Sequence, residues 1–279
     1  QSDVVQSFRR GILEDLANDR GVLPSLPDVA LNVRRTLEDP NSTGAGIARI
    51  IATDPALSAH VLRVANSAFY FGQAPVNDLQ RAVVRLGSAV VHHVVMMLVV
   101  ARLYDVAEHP HLHRHLTKLW RHSTLVASLA EKIASSIPGL NRDVAMFAGL
   151  IHNIGALPIL VWAEPIPNII TSDDAVNSMI SELQGELGRA ILTEWRYPSD
   201  LVVVPELYED FERENEATDY VDVVQVASLL SFAGTSDPRA HFEWWELPAA
   251  ARLGLGRDAG EELLESAQDN AQNLSGVLD

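Results

Sequence analysis

The stretch IIATDPALSAHVLRVANSAFYF, residues Ile50 to Phe71, decides the fold class of this chain. Asp54-Pro55 sets a side-chain acceptor before a proline at the first helical position, where the missing N–H costs nothing. Leu57, Val61, Val64 and Ala68 then recur at three- and four-residue spacing, which lays one apolar stripe along a helix. The residues that follow repeat the logic. Leu79, Val83 and Leu86 line a second helix, Gly87 stops it, and Ser88 opens a third. This third helix carries the most apolar run of the chain, Ala89 to Ala101, which includes His92 and His93. The run is too short to cross a bilayer and is expected to be a buried core helix.

The same periodicity predicts further helices over 28–38, 43–53, 114–136, 142–156, 176–195, 199–212, 219–233 and 258–273. Breaks fall at Asp39-Pro40-Asn41, Pro75, His109-Pro110, Pro138-Gly139, Pro165-Ile166-Pro167, Tyr197-Pro198 and Asp237-Pro238. No alternating strand pattern, internal repeat or low-complexity tract interrupts them. The expectation is an all-α protein with helical segments over 1–105, 106–215 and 216–279, the first two meeting near 105–113.

Length and composition narrow the function classes. With 279 residues and 47% hydrophobic content, the chain can bury a sizeable core. Its formal charge of −16 repels phosphate backbones and anionic lipid heads, so neither nucleic acid nor a membrane surface is an expected partner. The absence of cysteine excludes disulfides, zinc–thiolate sites and thiol nucleophiles. QSDVVQSFRRGILEDL, at the start, lacks the basic-then-apolar layout of a secretory signal, and the expected location is cytoplasmic. Whether Gln1 is the natural start is left open.

Three stretches resemble the HDOD family, a branch of the HD-domain superfamily found in bacterial signalling proteins. They are LPSLPDVALNVRRTLEDP (Leu23–Pro40), the Ile50–Phe71 stretch with its DPAL start and LRVANSAFY core, and AVVRLGSAVVHHVVM (Ala82–Met96). WRHS at Trp120–Ser123, GLIHNIG at Gly149–Gly155 and EWRYP at Glu194–Pro198 extend the resemblance over roughly residues 22–212. It implies a multi-helical HD-domain-like bundle with an N-terminal helical subdomain. Asp54, Pro55, Ala65, Asn66, Phe69 and Gly87 are read as architectural residues of the family motifs. Asn66 is expected to satisfy backbone groups where its helix turns into SAFYF.

An active member of the superfamily is similar to this chain in helix order but carries a first His, an adjacent His-Asp pair and a later Asp. Two neutral imidazoles suit a transition metal, and two carboxylates supply the charge that holds it and acidifies a bound water. On this resemblance His122 stands for the first His, His152 for the His of the pair, Asn153 for its Asp and Ser228 for the final Asp. Both acids are therefore gone. Asp222 lies six residues before Ser228, about 240° round a helix, and does not replace the loss. The later histidines of the superfamily are missing too, with Leu207 and Tyr208 in that neighbourhood. The resemblance thus implies no catalytic residue, no metal and no cofactor. His122, His152, Asn153 and Ser228 would line a vestigial cleft.

Other features read blandly. His109, His111, His113 and His115 alternate around Pro110 with no carboxylate among them, and suggest a solvated loop. Phe242, Trp244 and Trp245 read as an anchor for the C-terminal helices rather than an exposed hot spot. The acidic run from Gly256 is an amphipathic helix with a solvated face. The leading expectation is a non-catalytic regulatory module of HDOD type acting through protein partners. Two alternatives stand beside it: a metal-dependent phosphohydrolase acting on a nucleotide or cyclic nucleotide, and a sensor that binds a small ligand in the old cleft without chemistry.

Overall fold

A computed structural model describes residues 10–12, 14, 24, 28–39, 43–67, 74–105 and 109–275. All regular structure among the described residues is helical, and none of it is strand. The chain divides into two compact units, one of Ser25–Arg102 and one of Gln1–Pro24 with Leu103–Asp279. Residues 106–215 and 216–279 therefore lie in a single unit.

In the smaller unit, α1 (Asp28–Glu38), α2 (Gly44–Ile51), α3 (Pro55–Ala65), α4 (Leu79–Leu86) and α5 (Ser88–Leu103, ending at the unit boundary) follow in order. Asp54 caps α3 by accepting from the Leu57 N–H at 3.0 Å, and Asp78 caps α4 in the same way from the Arg81 N–H at 2.8 Å. Gly87 ends α4 at φ +78°, a conformation that only glycine adopts without strain, and α5 starts at once. Leu57, Val61 and Ala65 are buried along α3, which packs against α4.

The larger unit is built round α6 (His113–Ser135), which packs against α7 (Arg142–Ile151), α13 (Tyr220–Leu230) and α15 (Ala259–Ser275). Between them run α8 (Ala156–Ala163), α9 (Pro167–Ile170), α10 (Asp173–Glu194), α11 (Ser199–Val202) and α12 (Val204–Leu207). The short α14 (Pro248–Leu253) precedes α15. The helix expected over 142–156 ends at Ile151, and a new one starts at Ala156 after a turn through His152–Gly155. That turn matters. A continuous helix would carry His152 and Asn153 round its axis, whereas the turn fixes them at the end of α7. The helix expected over 199–212 is likewise broken, into α11 and α12.

Close packing sets these positions. A Cβ on Gly149 would lie 2.7 Å from the Ala127 Cα, so α7 crosses α6 at a distance that only glycine allows. The continuous apolar run Arg142–Ala163 is long enough to span a bilayer, but 83% of its most apolar window is buried inside the protein. Trp244 is buried and touches the place where Gly260 enters α15, while Phe242 remains 47% exposed. The aromatic segment thus anchors through Trp244 and leaves Phe242 outside.

Candidate functional site

Helices α6 and α7 bring two imidazoles together. His122 Nε2 and His152 Nε2 lie 3.1 Å apart. The tautomers follow from the neighbours. His152 Nδ1 sits 2.6 Å from the Gly149 carbonyl, which can only accept, so Nδ1 carries the proton and Nε2 presents its lone pair. His122 must then donate through Nε2, which leaves its Nδ1 as an acceptor. The Ser231 hydroxyl reaches that Nδ1 at 3.2 Å and the Ser228 carbonyl at 2.6 Å, its single proton shared between them. A directed chain runs Ser231 to His122 to His152 to Gly149.

Burial keeps the pair neutral. His152 is wholly enclosed, and loss of solvent lowers its pKa to about 4 despite the opposing hydrogen bond to Gly149. His122 is also pushed well below the ordinary histidine value, first by loss of solvent and then by the proximity of His152 and Arg239. Tyr208 packs its ring edge-on to His152 at 4.8 Å, and burial raises its hydroxyl pKa further.

Asn153 is adjacent to His152 in sequence but does not join the histidines through its side chain. Its Oδ1 accepts from Tyr104 Oη at 3.0 Å and from Ser123 Oγ at 2.9 Å, and its Nδ2 is buried without a partner. Ser228 is buried, yet its hydroxyl bonds to neither histidine. The side chain that reaches His122 is Ser231, one turn further on. Ser231 and Tyr104 were not signalled by the sequence pattern, which reached only the neighbourhood of Tyr208. Asp222 is fully buried and points elsewhere, held by Arg213 at 3.0 Å and Arg252 at 2.6 Å.

The architectural motif residues lie in the smaller unit. Asp54 Oδ2 pairs with Arg102 at 2.7 Å while Oδ1 caps α3. Burial alone would raise the Asp54 carboxyl pKa, but the Leu57 N–H and Arg102 outweigh it and hold it below the usual range. Asn66 Nδ2 donates to the carbonyls of Leu62 and Val76, and its Oδ1 accepts from the Val76 N–H at 2.8 Å. Arg85 donates to the carbonyls of Ala65 and Ala74, which closes the same loop from the other side. Phe69 lies outside the described residues. The alternating histidines are not bare loop: His109 pairs with Glu164 at 2.7 Å, and His115 bonds the Ile170 carbonyl at 3.0 Å. Sequence proximity showed no carboxylate there because Glu164 comes from beyond α8.

Do these residues fit a divalent metal? Among the described residues no three His, Cys, Asp or Glu side chains form a metal-binding group. The two imidazole nitrogens a cation would need are engaged with each other. The amide is tied back to two hydroxyls, and the acids that adjoin the pair, Asp237 and Glu209, both face Arg239, while Asp222 is held by two arginines. A set with no free carboxylate does not fit the charge and dehydration cost of such an ion.

The strandless helical bundle among the described residues is of the HD-domain-like class. Within it, residues 23–210 match the model of the HDOD domain, and the chain belongs to the HDOD family. Its fold resembles a "Putative metal-dependent phosphohydrolase" from Shewanella amazonensis SB2B, with TM-score 0.81, 27% identity and 100% coverage of both chains. It also resembles an HDOD domain protein of unknown function from Geobacter sulfurreducens, with TM-score 0.65, 19% identity and coverage of 100% of this chain and 98% of that one. A third likeness is to a "Putative signal transduction protein" from Marinobacter aquaeolei VT8, with TM-score 0.66, 20% identity and coverage of 99% and 66%. An uncharacterized protein of Treponema pallidum (strain Nichols) is 21% identical over 215 residues, and the chain spans 40% of its length.

Proposed function

We propose that this chain is a non-catalytic regulatory module of bacterial signal transduction that acts in the cytoplasm through protein partners. The observation that carries the reading is the direct hydrogen bond between His122 and His152, two imidazoles bonded to each other where the superfamily uses them as ligands. The chain of donors and acceptors around them is complete without an ion, and among the described residues no group of three His, Cys, Asp or Glu side chains could hold one. A neutral pair of this kind, His152 buried and His122 half-buried, joins α6, α7 and the end of α13 as a structural tie.

A second reading has one observation in its favour. The Shewanella protein is 27% identical over the whole length and bears a metal-dependent phosphohydrolase name, so a residual hydrolase is the alternative. Hydrolysis separates the two. Purified protein supplied with manganese, nickel or iron should leave a cyclic dinucleotide, a nucleoside monophosphate and a nitrophenyl phosphate at the rate of a protein-free control. Metal-dependent turnover that disappears in His152→Gln would replace the first reading by the second.

A further inference from the structure

On the side of Ser231 an aromatic ring lies over the half-buried His122. Phe232 follows Ser231 directly after α13, and its ring stacks on His122 with centroids 4.9 Å apart and planes 29° apart. Its backbone is fixed in a tight turn: its N–H donates to the Leu229 carbonyl at 3.1 Å, and its own carbonyl accepts from the Thr235 N–H at 3.0 Å and the Thr235 hydroxyl at 2.7 Å. Gly234, at φ +74°, turns the chain back. The returning segment lays Arg239 on the outer face of the ring, its guanidinium carbon 3.8 Å from the centroid.

That arginine is itself held. Asp237 Oδ1 accepts from its Nε at 2.9 Å and Oδ2 from its Nη2 at 3.0 Å, and Glu209 lies 3.9 Å away. Glu209 closes the circuit, because Tyr208 donates its hydroxyl to Glu209 at 3.1 Å while its ring rests on His152. Arg239, Phe232, His122, His152, Tyr208 and Glu209 therefore form a continuous ring of contacts. We propose that Phe232 and Arg239 are an internal plug, in which the chain's own side chains fill the approach to His122 that a small ligand would use.

Two physical consequences follow. The Phe232 ring keeps water off one face of His122, so the neutral tautomer is favoured where it sits. The guanidinium offers little to an incoming anion, since a phosphate or carboxylate would first have to displace the bidentate Asp237. Of the two non-catalytic expectations, a ligand sensor in the old cleft and a module read by protein partners, the plug favours the second. It deepens the proposed function of the same site but is tested apart from it: hydrolysis decides catalysis, and histidine accessibility decides the plug.

The experiment is carbethoxylation by diethyl pyrocarbonate at pH 7, read residue by residue by mass spectrometry, with the exposed His111 and His113 as references within the same molecule. In the native chain His122 should label far more slowly than His111. Phe232→Ala should raise the His122 rate relative to His111 by about tenfold, and Arg239→Gln by about threefold, as the cover loosens. The enclosed His152 should stay unlabelled, which reports an intact fold. If Phe232→Ala does not fold, Arg239→Gln decides alone, because its side chain is 46% exposed and not needed for the core. Native His122 labelling as fast as His111, or a relative rate unchanged in the folded variants, would overturn the plug.

Discussion

Two regions of this chain carry family motifs, and they hold their polar side chains in opposite ways. In the smaller unit, Asp54, Asn66 and Arg85 reach mainly for backbone groups: the Leu57 N–H, the Leu62 carbonyl with both peptide groups of Val76, and the carbonyls of Ala65 and Ala74, with Asp54 also pairing with Arg102. Each satisfies a group that a helix end or a loop would otherwise leave bare. In the larger unit the motif residues reach for one another, imidazole to imidazole and amide to hydroxyl, with no net charge. The first arrangement serves the local course of the chain. The second ties three helices together, and its cohesion depends on protonation state.

Acid should weaken the second region through His152, and this is the largest effect expected there; buried His60 on α3, its pKa likewise lowered to about 4 by loss of solvent, makes the smaller unit respond over the same range. His152 has a folded pKa of about 4 against an ordinary value of 6.5, so the folded state binds fewer protons than the unfolded one between those values. The stability it confers is present above pH 6.5 and is lost as pH falls toward 4, on the order of 3 kcal/mol at the low end. All five tryptophans lie in the larger unit, so urea unfolding followed by their fluorescence reads it selectively. The midpoint should fall between pH 7 and pH 4.5, and His152→Gln should flatten that slope. An equal slope in the variant would break the contrast between the regions. Asp54, whose pKa is lowered, responds in a different window: its contribution is present above the ordinary carboxylate range and is lost only below it.

A smaller effect sharpens the other side of the comparison. Asn66→Ala removes two hydrogen bonds to Val76 and one to the Leu62 carbonyl of its own helix, and leaves the Val76 N–H without its acceptor, a cost of roughly 1–3 kcal/mol. The midpoint of helix loss by circular dichroism should drop. An unchanged midpoint, with a partner no longer bound, would move Asn66 from architecture to recognition.

Much of the fold was legible because helix ends are written locally. Asp54-Pro55, Gly87 and Ser88 each name a boundary within a few residues of themselves, and the apolar spacing between them names the type. The turn at His152–Gly155 was harder, since the hydrophobic run continues straight through LIHNIGALPIL and what breaks the helix is packing against distant residues. A Cβ at Gly155 would lie 2.0 Å from the Gln184 carbonyl, a contact that no local pattern encodes. In the site, the two histidines could be placed by motif. Ser231 could not be told from Ser228, because both lie near the end of one helix a single turn apart. The partners of Asn153, Tyr104 and Ser123, and the cover of Phe232 and Arg239, come from tertiary contacts between segments that are far apart in sequence.

The central claim is that the His122–His152 pair is complete without a cation. Elemental analysis of protein purified without chelator tests it most directly, followed by calorimetric titration with manganese, nickel and iron at pH 7.5. Well under one transition-metal ion per chain is expected, with no saturable heat that His152→Gln abolishes. One ion per chain, lost together with a binding isotherm when His122 or His152 is replaced, would contradict it.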